Sequence, residues 1–249
     1  LPRQPFRDAG PLSPMAYRSG CVVCGSPLVY LEEPEALTCS YCGREFRETV
    51  RCSRGHFVCD LCHRMGAEDA IEAYCKISME ERPLALAMEL MRHPSMKMHG
   101  PEHHFLVPAV LLSALANTRH DPDAKARWLK AARKRADAVK GGFCGFLGDC
   151  GAAVGTGICV SVLTGATPLS REEWRLSNLM TATSLQEIAL HGGPRCCKRN
   201  TFLAVRSAIR FLRSELSLDL PEAAVRCEFS RENEECLHEQ CPFFQQNSG

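Results

Sequence analysis

The sequence predicts a mainly α-helical protein carrying a small zinc-bound β module near its N-terminus. Three observations carry this expectation. Cysteines and a histidine crowd between Cys21 and Cys62, mostly as C-x-x-C pairs. From Ala67 onward, apolar residues recur at the spacing of one helix face. Two glycine-flanked cysteine stretches then interrupt the helical pattern, GGFCGFLGDCGAAVGTGIC at Gly141–Cys159 and GGPRCCKRN at Gly192–Asn200.

The bulk numbers narrow the classes. At 249 residues the chain can hold one medium and one small domain, and 45% hydrophobic content suffices for a core. Net charge is +1, so the basic excess of a nucleic-acid module is missing and nucleic acid is not expected as a partner. Sixteen cysteines would suit a secreted disulfide scaffold, but such scaffolds are short. The opening LPRQPFRDAGPLSP lacks the basic-then-apolar layout of a signal peptide. The expectation is a reduced, cytoplasmic protein with metal-bound thiolates. The longest apolar run, Phe105–Ala116, falls short of the ~20 residues a membrane span needs.

Four regions follow in order. Residues 1–20 read as a flexible lead rich in Pro, Gly and Arg. Residues 21–63 read as a zinc ribbon with a second zinc knuckle. Cys21-x-x-Cys24 and Cys39-x-x-Cys42 offer four sulfurs at ribbon spacing, with a short strand at Leu28–Leu31 between them. Cys52, His56, Cys59 and Cys62 follow. From Cys39 to Cys62 the ligand order resembles the first part of a RING finger, whose terminal C-x-x-C pair has no counterpart here. Two zinc sites, or one ribbon with an attached knuckle, fit the spacing.

Residues 64–226 read as a helical metal-cluster domain. Ala67, Ala70, Ile71, Tyr74 and Cys75 share a helix face, which makes Cys75 a buried, inert thiol. Ser78-x-x-Glu81 reads as a capping box opening a second helix through Leu90. MKMHGPEHH at Met96–His104 gathers His99, Glu102 and His103 at a helix entrance, where they can act as acid or base. Lys125–Lys140 reads as the solvated face of a basic helix. Gly151–Leu163 is apolar on nearly all faces and implies a buried helix with Cys150 at its N-terminus. Ser170-x-x-Glu173 reads as a second capping box, opening a helix to Leu190. After Gly192-Gly193-Pro194 a last helix turns Phe202, Val205, Ile209, Leu212 and Leu216 inward. Cys196 and Cys197 therefore sit at another helix start. Residues 227–249 form a tail in which Cys227, Cys236 and Cys241 could share a metal with His238 or an upstream cysteine.

The stretch from about Met96 to Arg213 resembles the α chain of iron–sulfur L-serine dehydratase and its relative cysteine desulfidase. The matching landmarks are HFLVPAVL at His104–Leu111, CGAAVG at Cys150–Gly155, and CCKRNTFLAV at Cys196–Val205. The resemblance implies a helical domain in which three cysteines hold a [4Fe-4S] cluster with one iron open to substrate. It implies Cys150 and Cys196 as ligands with Cys144 or Cys197 as the third. In a lyase built on them, His99, Glu102 and His103 would supply the base and Arg199 would hold a substrate carboxylate. The family's Gly-rich substrate turn is replaced by HGPEHH, so serine itself is not the expected substrate. The whole chain also resembles an uncharacterised bacterial and archaeal family that joins the ribbon to the HGPEHH and CCKRN motifs.

The leading expectation is thus an iron–sulfur lyase acting on a small carboxylate-bearing molecule, with zinc in the N-terminal module. One alternative is a non-catalytic metal-binding adaptor whose ribbon docks a protein or nucleic-acid partner. A second is a sulfur or electron transfer protein using Cys196 and Cys197.

Overall fold

The computed structural model describes residues 21, 23, 26–63 and 66–244. The expected lead, Cys24 and residues 245–249 lie outside them. The fold is mainly helical, as the apolar periodicity requires.

The N-terminal module is built on a hairpin of β1 (Leu28–Thr38) and β2 (Glu45–Cys52). The strand expected at Leu28–Leu31 runs on to Thr38. The register pairs Leu28 with Cys52 and Thr38 with Glu45, with an irregularity between Tyr30 and Glu35. Pro34 lies in that irregular stretch and lacks the N–H a ladder would use. The turn Cys39–Arg44 closes through Cys39 N–H to Arg44 O (2.9 Å), with Gly43 at φ +68°. A short helix α1 (Asp60–His63) carries Cys62. Tyr41 docks the module on the helical body, its ring edge-on to Tyr74 and His93 at 5.8 and 4.5 Å.

The helical body runs α2 (Ala67–Ile77), α3 (Pro83–Met91), α4 (Glu102–Thr118), α5 (Pro122–Ala136), α6 (Phe143–Phe146), α7 (Gly151–Thr164), α8 (Glu172–Leu190) and α9 (Cys197–Leu216). Helix α4 is the central rod, buried from Phe105 through Asn117 and in contact with α2, α3, α5, α7 and α9. Two glycines explain how α7 comes so close to it. A Cβ on Gly151 would overlap the His104 ring, and one on Gly155 would meet His104 O and Pro108 Cδ at 2.9 Å.

Three local expectations are corrected. Ser78 caps the end of α2 rather than opening α3, which starts at Pro83 where the ring's fixed φ suits a first turn. Ser170 closes a turn with Thr167 through its hydroxyl, and α8 begins at Glu172 without a side-chain cap. Lys125 is not solvated. It is 4% exposed, and its Nζ donates to Lys76 O (3.4 Å) and Ser78 O (2.8 Å), carbonyls left open where α2 ends.

Ser217, at φ +53°, ends α9. The chain from there to Phe244 holds two single 3₁₀ turns, Ser230–Glu232 and His238–Gln240, and is otherwise irregular. It is nonetheless packed. Cys227 N–H donates to Phe243 O (2.7 Å), Phe243 meets Phe202 edge-on at 5.2 Å, and Glu228 pairs with Arg92, the residue that ends α3. Among the described residues, no helix is long and apolar enough to cross a membrane.

Candidate metal and thiol sites

The N-terminal donors form two groups, each with its ligand atoms mutually within 4.8 Å: Cys39, Cys42, Cys59 and Cys62 in one, and Cys21, Cys52 and His56 in the other. This corrects the ribbon grouping, which paired Cys21 with Cys39. The hairpin register sets Cys52 beside Leu28, at the end where the chain enters from Cys21. Beyond Cys52 the chain folds back beside the hairpin turn, where Phe57 bridges Cys39 and Ser40 N–H donates to Phe57 O (2.8 Å). That return delivers Cys59, whose N–H reaches Cys39 Sγ (3.4 Å) and whose Sγ lies 3.9 Å from Cys42 Sγ. The two donor sets are therefore crossed in sequence order.

The tetrad can hold a metal ion such as zinc, for which tetrahedral thiolates stand about 3.8 Å apart. Burial pushes the Cys62 and Cys59 thiols up. Burial acts upward on Cys42 too, yet the Arg44 backbone N–H and side chain bring it down to about 7. Four such thiols ionise together only beside a cation.

In the helical body, the N-termini of α7 and α9 meet. Cys150 is the N-cap of α7, and Asn200 Nδ2 on the first turn of α9 donates to its Sγ at 3.5 Å. Burial pushes the Cys197 thiol up to about 11, the Gly100 backbone N–H opposes this, and the nearby Cys150, Cys196 and Cys144 thiols add to the rise. Cys144 lies on α6, in the glycine-rich link between α5 and α7. His104 lies over Gly151, its Nδ1–H donating to Val139 O (2.9 Å), which leaves Nε2 as the acceptor.

The HGPEHH residues border this seat. His103 is buried, and its Nδ1–H donates to Gly100 O (3.2 Å) while Nε2 is among the buried atoms without a partner. Burial, and then the charge of Lys198, hold His103 well below the ordinary imidazole value. Glu102 is buried and accepts from Lys97 N–H at 2.9 Å. Lys198 is 1% exposed. Burial lowers it to about 8, with the Glu102 carboxylate acting the other way. His99 is half-buried and engaged with the C-terminal segment, its Nε2 shared by Asn233 Oδ1 and Glu235 Oε2, both at 3.1 Å. Arg199 is occupied by loop carbonyls, donating through Nη2 to Gly192 O (2.7 Å) and Pro194 O (3.1 Å). Its backbone-holding role fixes the loop that leads into α9.

Cys196 faces a different space from Cys197. It lines a cavity with Cys227, Cys236 and Cys241, walled by Met98, Phe202, Phe229 and Phe243. Its Sγ accepts from Arg199 N–H (3.4 Å) and Asn233 Nδ2 (3.6 Å). Four residues that sequence reasoning passed over thus stand around these thiols: His104, Lys198, Asn200 and Asn233. The first three were visible inside the quoted motifs, as polar residues on faces that had to be buried. Nothing in the sequence marks Asn233.

A family model matches residues 71–244, that of a family of unknown function (DUF5714). The match takes in every cysteine of the helical body and leaves out the crossed module. No curated protein and no solved structure matches the chain.

Proposed function

The chain belongs to this family of unknown function, and we propose that it is a metal-dependent enzyme of the lyase type with its reaction centre where α7 and α9 begin. The observation that carries the reading is the meeting of Cys150 and Cys197 at two helix starts, with Cys144 close by. Their donors fit a thiolate-bound iron–sulfur centre. Asn200 and the Gly100 N–H stabilise ionised sulfur, and both helix N-termini favour negative charge. Three protein thiols leave one coordination position for substrate, the layout of a reactive rather than a structural centre. When bound, such a centre supplies a Lewis acid that polarises a leaving hydroxyl or thiol.

The chain's own residues would do the rest. His104 Nε2, held as an acceptor by the Val139 bond, is placed over the α7 N-terminus to take a proton. The first-turn N–H groups of Gly151 and Ala152 suit a small carboxylate, a role the engaged Arg199 does not need to fill. Glu102 and Lys198 are both buried near His103, and the Glu102 carboxylate acts against the lowering of Lys198 by burial. The order of the HFLVPAVL, CGAAVG and CCKRN motifs, resembling the iron–sulfur dehydratases, supports the same class. The test is anaerobic reconstitution with iron and sulfide, followed by a screen of small hydroxy- and mercapto-carboxylates for elimination. Cys150→Ala and Cys197→Ala should each abolish turnover; turnover that survives Cys150→Ala refutes the assignment.

A second reading, a protein-docking adaptor, is favoured by the N-terminal module. Zinc would fill both crossed sites there. The module also exposes Leu28 and Tyr30 on β1 and Leu61 on α1. In that case Cys39→Ala would remove function while Cys150→Ala would spare it.

A further inference from the structure

We propose that Cys196, Cys227, Cys236 and Cys241 bind a second, fully coordinated [4Fe-4S] cluster, separate from the reaction centre. All four cysteines line one cavity, and none is in a disulfide.

Three features identify the occupant. The first is donor geometry. Phe229 N–H reaches Cys227 Sγ and His238 N–H reaches Cys236 Sγ, both at 3.4 Å across two residues. The same turn occurs at Cys21, from Val23 N–H (3.4 Å), and at Cys52, from Arg54 N–H (3.3 Å), both members of the crossed metal groups. Cys196 receives two donors, from Arg199 N–H and Asn233 Nδ2. Hydrogen bonds of this kind stabilise metal-bound thiolates and tune cluster potentials.

The second is spacing. A single zinc ion draws its thiolates to about 3.8 Å from one another. Among the described residues, the donor sets gathered within 4.8 Å are the two N-terminal groups, and these four cysteines are not such a set. Thiols that share a cavity at wider separation suit a polynuclear cluster with one cysteine per iron.

The third is the surroundings. Phe202, Phe229 and Phe243 wall the cavity, and Lys198 places a buried cation beside it, its Nζ 4.8 Å from the Phe229 ring. A cluster with four thiolates is anionic, and a fixed cation with the N-terminus of α9 offsets that charge. The chain from Ser217 to Phe244 has almost no regular structure yet supplies three of the four sulfurs. A segment of that length without its own ladder needs a staple to stay packed.

The experiment measures iron and acid-labile sulfide in anaerobically reconstituted full chain. Cys227→Ser/Cys241→Ser should lose one [4Fe-4S] equivalent, and a variant that adds Cys150→Ala should lose a further one. If the proposed reaction centre holds no cluster, Cys150→Ala alone keeps the parent's iron content and the loss in Cys227→Ser/Cys241→Ser still reads this site. Against misfolding of the double variant, alkylation of the unmutated chain followed by mass spectrometry supplies an independent readout. Cys196, Cys227, Cys236 and Cys241 should be protected together in iron-loaded protein and exposed together once iron is stripped. Equal alkylation of these four before and after stripping, unchanged iron content in the double variant, or zinc in place of iron at this site would overturn the proposal.

Discussion

Gly151 lies directly beneath the imidazole of His104, and a single methyl there would overlap the ring. The smallness of one residue therefore sets the position of a polar group at the start of α7. Gly155, one turn on, meets backbone instead, since His104 O is 2.9 Å from its ideal Cβ.

Gly155→Ala should lower stability by about 1–3 kcal/mol, because α4 cannot move without repacking the core. Gly151→Ala should cost less, since a side chain can rotate away, but it should displace His104 and reduce any turnover. Urea denaturation of both variants checks the order, and a Gly155→Ala chain as stable as the parent would contradict the packing.

The crossed grouping predicts which spectrum a ligand change removes. With cobalt in place of zinc, Cys21→Ser should erase the bands of the site containing His56 and keep those of the all-thiolate site. A tandem ribbon would give the reverse, because Cys21 would then share its ion with Cys39. Visible absorption of the cobalt-loaded variant decides between them.

His103 predicts acid sensitivity. It is buried among Lys198, His99 and His104, with Glu102 adjacent, and its folded value lies well below 6.5. The unfolded chain therefore binds the proton first as pH falls. Stability should be complete above about pH 6.5 and decline below it, by about 1.4 kcal/mol per pH unit. Melting temperatures at pH 7.5 and 5.5 should differ less in His103→Asn than in the parent chain.

Asn117 holds the α2–α3 link to the central helix. Its Nδ2 donates to Ser78 O (3.1 Å) and Glu80 O (2.8 Å). Asn117→Ala should destabilise by about 1–3 kcal/mol, the cost of leaving buried carbonyls with fewer donors. Lys125→Met should behave similarly, although Lys125 belongs to a helix whose sequence looks fully solvated. Chemical denaturation of the two single variants and the double variant would reveal their coupling through Ser78 O.

The helices were legible because burial writes a period into the chain. The stripes of α2 and α9 and the all-apolar run of α7 correspond to elements that really are half or wholly buried. Lys125 escaped because nothing local announces that a carbonyl three elements away lacks a donor. The grouping of the metal-donor residues escaped for a similar reason. The C-x-x-C spacings are the same in both groupings, and only the hairpin register and the Cys39–Phe57 bridge choose between them. The side-by-side cysteines were visible in CCKRN, but not that Cys196 lines a cavity with Cys227, Cys236 and Cys241 while Cys197 does not. The packing of Phe243 on Phe202 brings the tail to Cys196, a contact no spacing encodes.

The crossed donors of the N-terminal module have a consequence for how metal enters and leaves it. The loop that closes either donor set carries two donors of the other, so a metal ion bound at one would shorten the search for the second. A half-loaded module should be scarce during titration, and uptake should be steep. Release should be correspondingly reluctant, because one ion cannot be traded for a competing metal without slackening a loop its neighbour still grips. Once loaded, such a module should resist gradual stripping by a chelator and give way, when it does, all at once.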